Sequence, residues 1–476
     1  MDFGTSNSAV AWFDGERLHF VNLEATGPIL PTAIHLNRDF IATTGQGAID
    51  QYVEENRGRR VELVAEVIGE AASTIGGGAL GEGGESLETN RNPIYGQLFD
   101  RGLPGRLFHG LKRLLGDASI LRLMVFDRPY RLVALITPIL LRMRADTQAA
   151  LRQEIAGIHI GRPVNFEGKD TNRNDVALDR LAEASAYAGF DNAQFYPEPI
   201  AATLSYLHRA KASGRGTTLA VDFGGGTLDL SVVRYDGAAF EVLATEGIGL
   251  GGNRIDQLIF EHLLFPELGQ GEMWSRQVDG RLIETPFPFE EYAHALLNWP
   301  ITHMLNQNKT KTMVLDRIAK GGPAAVKFER LNDLITYNYS YNCFHAIRQA
   351  KAELSDATHA VIDIPELNLH IAFSRDQFDT ILAASLATIG ELIDRVLGKA
   401  HLQRPEIDLV IRTGGSSLIV AVRRLLEDYF PGRVVAHDPF TSVAGGLAIA
   451  NYYGYSFASG AGAGPPDTSP RSPQAT

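Results

Sequence analysis

The opening MDFGTSNSAVAWFDG recurs, piece by piece, as VDFGGGTLDLSVVRYDG from Val221 onward. Asp2, Phe3 and Gly4 are matched by Asp222, Phe223 and Gly224. Small or hydroxylated residues follow in both, then a β-forming run, Ala9 to Phe13 in one and Leu230 to Tyr235 in the other. Each copy closes on Asp-Gly, at Asp14-Gly15 and Asp236-Gly237, the dipeptide that favours tight hairpins. A hairpin used twice implies two related halves. Thr218 to Val221 lead into the second copy as a strand, whereas only Met1 precedes Asp2. By comparison the first copy lacks most of its leading strand, and the expectation is a natural start several residues upstream.

A glycine-rich turn aims successive backbone N–H groups at one point and lets an anion approach the main chain. Gly4, Thr5 and Ser6 on one turn, and Gly224, Gly225, Gly226 and Thr227 on the other, are therefore candidates to clamp a polyphosphate from two sides. Asp2 and Asp222, at the heads of the turns, suit a hydrated Mg²⁺, a hard cation that favours carboxylates and keeps much of its water. The G-x-x-x-x-G-K-[ST] phosphate loop is absent. Gly247-x-Gly249-x-x-Gly252 matches a dinucleotide-binding pattern, but no strand with an acidic end follows about 20 residues on; the region reads PELGQGEMW.

Composition excludes several classes. With 476 residues and 45% hydrophobic content the chain has room for more than one core. A net charge of −12 without a dense Lys/Arg block argues against a nucleic-acid partner. The single Cys343 rules out an internal disulfide or a thiolate cluster, and the 13 His show no metal-ligand spacing. The apolar run LVALITPILL (132–141) is too short to cross a bilayer. No membrane association and a cytoplasmic location are expected.

Along the chain, helices are expected at 131–153, 176–187, 255–264, 340–354, 374–400 and 418–430. Strands are expected at 157–160 and 409–412, with strand-hairpins at 2–23 and 217–244. This alternation is an α/β pattern. Gly76 to Glu88 reads as a surface loop, the aromatic-rich 265–340 as an inserted or enlarged subdomain with exposed aromatics, and 458–476 as a disordered tail.

Together these motifs resemble the ATPase domains of the heat shock protein 70 (DnaK-like) class, within the actin and sugar-kinase fold. DFGTSNS is similar to the family's first phosphate loop and VDFGGGTLDLSVV to its second. LFHGLKRLLG (107–116) resembles the segment carrying the catalytic lysine, which falls on Lys112. YPEPIAATLSY (196–206) resembles the connecting segment, whose glutamate falls on Glu198, and Pro163 matches the proline of the interlobe switch. LGGNRID (250–256), AKAELS (350–355) and TGGSSLI (413–419) resemble nucleotide-side motifs and bring in Gly251, Gly252, Lys351, Ser355, Gly414, Gly415 and Ser416.

The resemblance implies an α/β, two-lobed actin-like ATPase with ribonuclease H-like duplicated domains and inserted subdomains. Lobe I spans 1–211 with a peripheral part at about 38–130, and lobe II spans 212–457 with one at about 253–369. ATP or ADP would sit between the lobes, contacted by Gly4, Thr5, Ser6, Asn7 and Gly224 to Gly226. Asp2, Glu198 and Asp222 would hold Mg²⁺ through water, and Lys112 and Thr227 would act on the γ-phosphate, with Asp229 orienting the shell. Polypeptide clients or co-chaperones are the implied partners. The match departs on the base side: Ala352 and Leu418 stand where the family has two arginines, and Arg348 where it has a ribose-binding glutamate. No segment resembles the usual peptide-binding domain. Two other classes share the fold: an actin-like filament protein, and a sugar-kinase type phosphotransferase, for which no acceptor pocket with a base is identifiable.

Overall fold

A computed structural model describes residues 1–74, 89–155, 157–211, 214–237, 239–278 and 281–455. The expected loop Gly76 to Glu88 and the tail from 458 lie outside these residues. The chain divides into two compact units, one built from 1–54, 105–270 and the chain from 341 onward, the other from 55–104 and 271–340.

The elements of the first unit that carry the argument are, in order, β1 (Asp2–Phe3), β2 (Asn7–Ala9), α1 (Leu132–Leu151), β3 (Gly157–Arg162), α2 (Arg173–Tyr187), β4 (Asn192–Pro197), α3 (Glu198–Ala210), β5 (Arg215–Phe223), β6 (Leu228–Asp236), β7 (Ala239–Ile248), α4 (Gly252–Ile259), α5 (Ser340–Glu353), α6 (Arg375–Lys399), β8 (Leu409–Thr413), α7 (Val420–Tyr429), β9 (Val434–Ala436) and α8 (Ser442–Tyr452). The expected helices and strands are present, with ends shifted by a few residues. The helix expected over 255–264 is the exception, because α4 stops at Ile259 and Phe260–Leu264 continues as a wider π-type turn.

Five strands form one sheet in the order β7-β6-β5-β8-β9. The meander β5-β6-β7 is antiparallel, while β8 and β9 run parallel to β5. Leu219, Ala220, Val221 and Phe223 are all buried, so β5 is covered on both faces; this is why its sequence reads as an unbroken apolar run rather than an alternation. In the other half of the unit β1 pairs with β2, and β3 pairs in parallel with β4. Gly161 N donates to Met1 O at 3.0 Å and the Met1 amine donates to His159 O at 2.7 Å, which sets β1 beside β3. Burial pushes the Met1 amine down to about 5.

Two helices lie in backbone contact. A methyl group added at Gly446 of α8 would collide with the Ala201 carbonyl of α3, so only glycine permits this approach. One hydrophobic cluster, including Ile200, Ala201, Leu204, Val443 and Leu447, gathers around that contact; a second, including Leu135, Ile136, Ile139, Leu140 and Leu181, lies under α1 and α2. Cys343 is buried within α5, and its thiol is pushed up by burial, in keeping with a structural role.

The second unit contains the antiparallel pair Leu63–Thr74 with Thr89–Asp100, the hairpin Met273–Val278 with Arg281–Pro286, and helices Glu290–Leu296, Asn308–Ala319 and Ala325–Tyr337. The aromatics of this region do not form the exposed surface expected from composition. Phe287, Phe289, Tyr292 and Phe328 are 4% exposed or less and pack on one another, while Trp274 donates to Asp316 at 2.9 Å. They are core residues, because a subdomain of this size needs large side chains to close its own interior.

Helix α6 starts with a reciprocal capping box: Ser374 Oγ accepts from Gln377 N at 3.2 Å, and Gln377 Oε1 accepts from Ser374 N at 2.9 Å. Replacing Ser374 with Ala is expected to cost about 1 kcal/mol of stability, read as a lowered urea midpoint with an unchanged slope.

Candidate functional site: two glycine turns around a carboxylate cluster

The two hairpins have the same register. Asp2 faces Ala9 and Phe3 faces Ser8 across the first; Asp222 faces Asp229 and Phe223 faces Leu228 across the second. The turns at their ends meet tip to tip. A Cβ built on Gly225 would lie 2.5 Å from Ser6 Oγ, and one on Gly226 would lie 3.2 Å from Thr5 Cγ2. Gly224 closes the second turn, its N–H donating to Thr227 O at 3.0 Å.

Lys112 lies in a short turn, Leu111–Leu114, preceded by Gly110 in the left-handed region (φ 66°). Its ammonium bonds Glu198 Oε1, and both side chains are largely buried. Glu198 is the first residue of α3, where its charge meets the positive end of the helix. Asp2, Asp222 and Asp229 surround this pair. The Asp2 carboxyl is pushed up to about 7, first by burial, then by Glu198 and Asp222, against Lys112. Burial, with Glu198, raises Asp222 to about 6, opposed by a bond from Thr413 Oγ1 at 3.2 Å. Asp229 rises to about 7 by burial, although Thr227 Oγ1 donates to it at 2.7 Å. Burial alone would lower the Lys112 ammonium, but Glu198, Asp2 and Asp222 together push it up.

Four carboxylates thus share one ammonium in a poorly solvated place. That excess of negative charge fits a divalent cation. Among the described residues no three His, Cys, Asp or Glu side chains are grouped tightly enough to hold an ion directly. A cavity of about 510 Å³ borders the cluster, lined by Glu198, Asp222, Thr227 and Asp229 on one side and by Pro163 to Gly168 on another.

A second group of expected residues gathers behind the second turn. Gly251 packs on the Gly225 and Gly226 backbone, and Asn253 N donates to Gly225 O at 2.8 Å. Gly252 N donates to Gly224 O at 3.0 Å, as does Ser416 Oγ. Lys351 Nζ approaches Gly252 O at 3.5 Å. Gly414, at φ +78°, lets its loop lie against Phe223 O, and Gly415 lies under the Phe440 ring. The pattern Gly247-x-Gly249-x-x-Gly252 is explained here as a strand end, a turn and a helix start packed against the glycine turn: Gly247 faces Asp229, and Gly251 faces Gly225. Asn7 is exposed on β2 opposite Pro31, and Ser355 follows α5 in a turn; among the described residues neither enters this hydrogen-bonded group.

Four residues of the neighbourhood were not read from sequence. Asp256, 2% exposed, takes the Lys351 ammonium; a carboxylate between Ile255 and Ile259 on the buried face of α4 was the available signal. Thr413 ends β8 beside Asp222. Arg113 bonds Glu167. Phe440, 47% exposed, sets its ring against Gly415, which makes that edge of the loop apolar. Arg348 stacks over Tyr341 at 5.4 Å.

A family model described as Hsp70 protein matches residues 115–271 and 340–451, more than half of the chain. The chain belongs to the Hsp70 family. Its relatives include the heat shock 70 kDa protein BIP3 of Oryza sativa subsp. japonica, 28% identical over 375 residues, which are 73% of this chain and 47% of that protein. Heat shock 70 kDa protein 13 of Bos taurus is 27% identical over 65% of this chain and 61% of its own length. The chaperone protein DnaK of Thermoplasma acidophilum is 25% identical over 68% of this chain and 44% of its own length. The Hsp70 chain described here thus spans about half the length of the curated relatives it matches. Membership carries the actin-like ATPase fold, of mixed α/β class. Among the described residues no helix is long and apolar enough to cross a membrane.

The raised carboxyls make a pH prediction with a definite sign. Unfolded aspartates titrate near 4, so between about pH 4 and 7 the folded, nucleotide-free protein binds more protons than the unfolded chain. Stability therefore falls as pH rises through that window. Asp222→Asn is expected to stabilise the nucleotide-free protein at pH 8 by on the order of 1 kcal/mol and to have little effect at pH 4. Thermal unfolding of both proteins at the two pH values checks this.

Proposed function

We propose that this Hsp70-family chain binds ATP and ADP at the paired glycine turns and hydrolyses ATP slowly, as a nucleotide switch of the chaperone type. The observation that carries the reading is the tip-to-tip contact of the two turns, with Lys112, Glu198, Asp2 and Asp222 between them. Backbone N–H groups of Gly4, Thr5, Ser6, Gly225 and Gly226 would cradle a triphosphate, with Gly224 shaping the second turn through its bond to Thr227 O. Gly251, Gly252, Lys351, Gly414, Gly415 and Ser416 support the adenosine side, and Asn7 and Ser355 belong to the same expected set. Bound Mg²⁺, held through water by Asp2, Glu198 and Asp222, would supply the positive charge that this cluster lacks.

In hydrolysis, a water oxygen bonds to the γ-phosphorus while the bond to the bridging oxygen of the β-phosphate breaks, giving ADP and inorganic phosphate. Such transfer needs placement and charge stabilisation more than covalent help. Lys112, bonded to Glu198 and buried, is held in one position and lays its charge against the developing phosphate oxygens. Thr227 has its hydroxyl proton committed to Asp229, which leaves its oxygen free to accept from the attacking water.

The two-lobed reading, 1–211 and 212–457 with peripheral parts at 38–130 and 253–369, belongs to the same proposal. Its support is the shared hairpin register, and the parallel strand beside each hairpin: β3 beside β1 through Met1, and β8 beside β5. Polypeptide clients or co-chaperones would sense the nucleotide state. A cytoplasmic setting, where a lone buried thiol stays reduced, accords with Cys343.

The test is turnover against binding. Lys112→Ala and Thr227→Ala are each expected to lower kcat by at least about 10-fold while changing the ATP dissociation constant by less than about 3-fold. Phosphate release assays and calorimetry measure the two quantities. Parallel losses in both would remove the assigned roles.

A further inference from the structure

Arg113 follows Lys112 directly and has no part in the mechanism above, yet it hangs over the cradle. Its Cδ lies 3.9 Å from the position a Cβ would take on Gly226, and its Nη2 lies 3.7 Å from the same position on Gly249. The guanidinium is not free: Nε donates to Glu167 Oε1 at 2.9 Å and to Oε2 at 3.1 Å. Glu167 belongs to the segment from Pro163 to Gly168 that lines the cavity beside Asp222 and Thr227. That segment is also tied to Asn174, whose Oδ1 accepts from Phe166 N at 2.8 Å and whose Nδ2 donates to Asn165 Oδ1 at 3.1 Å.

The partners are unequal in what they can hold. Arg113 and Glu167 are 44% and 41% exposed, so their pair is screened by water and contributes little. A terminal phosphate in the cradle carries more charge than one carboxylate and offers an arginine paired, charge-assisted bonds in a less solvated place. The exchange of Glu167 for phosphate is downhill once a γ-phosphate is present, and uphill again after it leaves.

Building on the ATP-binding reading, we propose that Arg113 is a γ-phosphate sensor: it leaves Glu167 to bind the terminal phosphate of ATP and returns to Glu167 in the ADP state. The position of a single guanidinium then reports the nucleotide state to the segment 163–168, which loses an anchor with ATP and regains it with ADP. Arg113 acts on phosphate number rather than on the base, so it separates triphosphate from diphosphate affinity.

Calorimetric titration of the full chain with Mg-ATP and with Mg-ADP tests this in wild type, Arg113→Gln and Glu167→Gln. Arg113→Gln is expected to weaken ATP by at least about 10-fold and to leave ADP within about 2-fold. Glu167→Gln, which frees the arginine, is expected to tighten ATP by about 2- to 5-fold with ADP unchanged. In wild type, amide exchange of residues 164–168 should be faster with ATP than with ADP, and this difference should vanish in Arg113→Gln. If wild type binds ATP but Arg113→Gln weakens both nucleotides equally or neither, or Glu167→Gln weakens ATP, the pair is merely structural and the sensor is overturned. If wild type binds neither nucleotide, the ATP-binding reading falls together with it.

Discussion

Everything in the first unit is arranged to bring two backbone turns into contact beside a set of carboxylates that repel one another. Gly225 and Gly226 can touch Ser6 and Thr5 only because they have no side chains. The carboxylates would scatter in water; here they are fixed by strands whose apolar flanks are buried, and one lysine is shared among them. Charge repulsion of this kind persists only when the surrounding packing over-determines it, which is a mark of a site kept for what it binds. The central strand β5, buried on both faces, holds Asp222 at its end, and the first turn of α3 holds Glu198.

The second glycine turn has polar surroundings on one side and apolar ones on the other. Around Gly224, backbone groups, Ser416 and Lys351 form a closed set of hydrogen bonds, with Asp256 neutralising the lysine. Toward Gly415 the surroundings become apolar, with exposed Phe440 and Leu418, and Arg348 engaged by Tyr341.

Much of this was legible in the chain. The repeated Asp-Phe-Gly turn fixed which hairpins correspond, since register is local and the spacing from Asp2 to Ala9 equals that from Asp222 to Asp229. The apolar run of β5 and the Ser374 to Gln377 cap were equally local signals. What escaped was set by tertiary packing. The aromatics of 265–340 looked like a surface because their spacing follows neither a helix nor a strand period; Phe287, Phe289, Tyr292 and Phe328 turn inward to close a small core. Asp256 and Thr413 gained their meaning from residues far along the sequence, Lys351 and Asp222. The glycines of 247–252 mimicked a nucleotide loop because both arrangements answer the same demand, a backbone that must be approached closely.

The contact between Gly446 and Ala201 links the site to a distant part of the chain. Where two helices meet main chain to main chain, no side chain is available to yield, and a displacement of one is carried whole to the other. Glu198 sits three residues before Ala201 on α3, so the carboxylate that holds Lys112 takes its position from α8. A bulky residue at 446 would push on the carboxylate cluster from beneath, by moving the floor on which Glu198 stands.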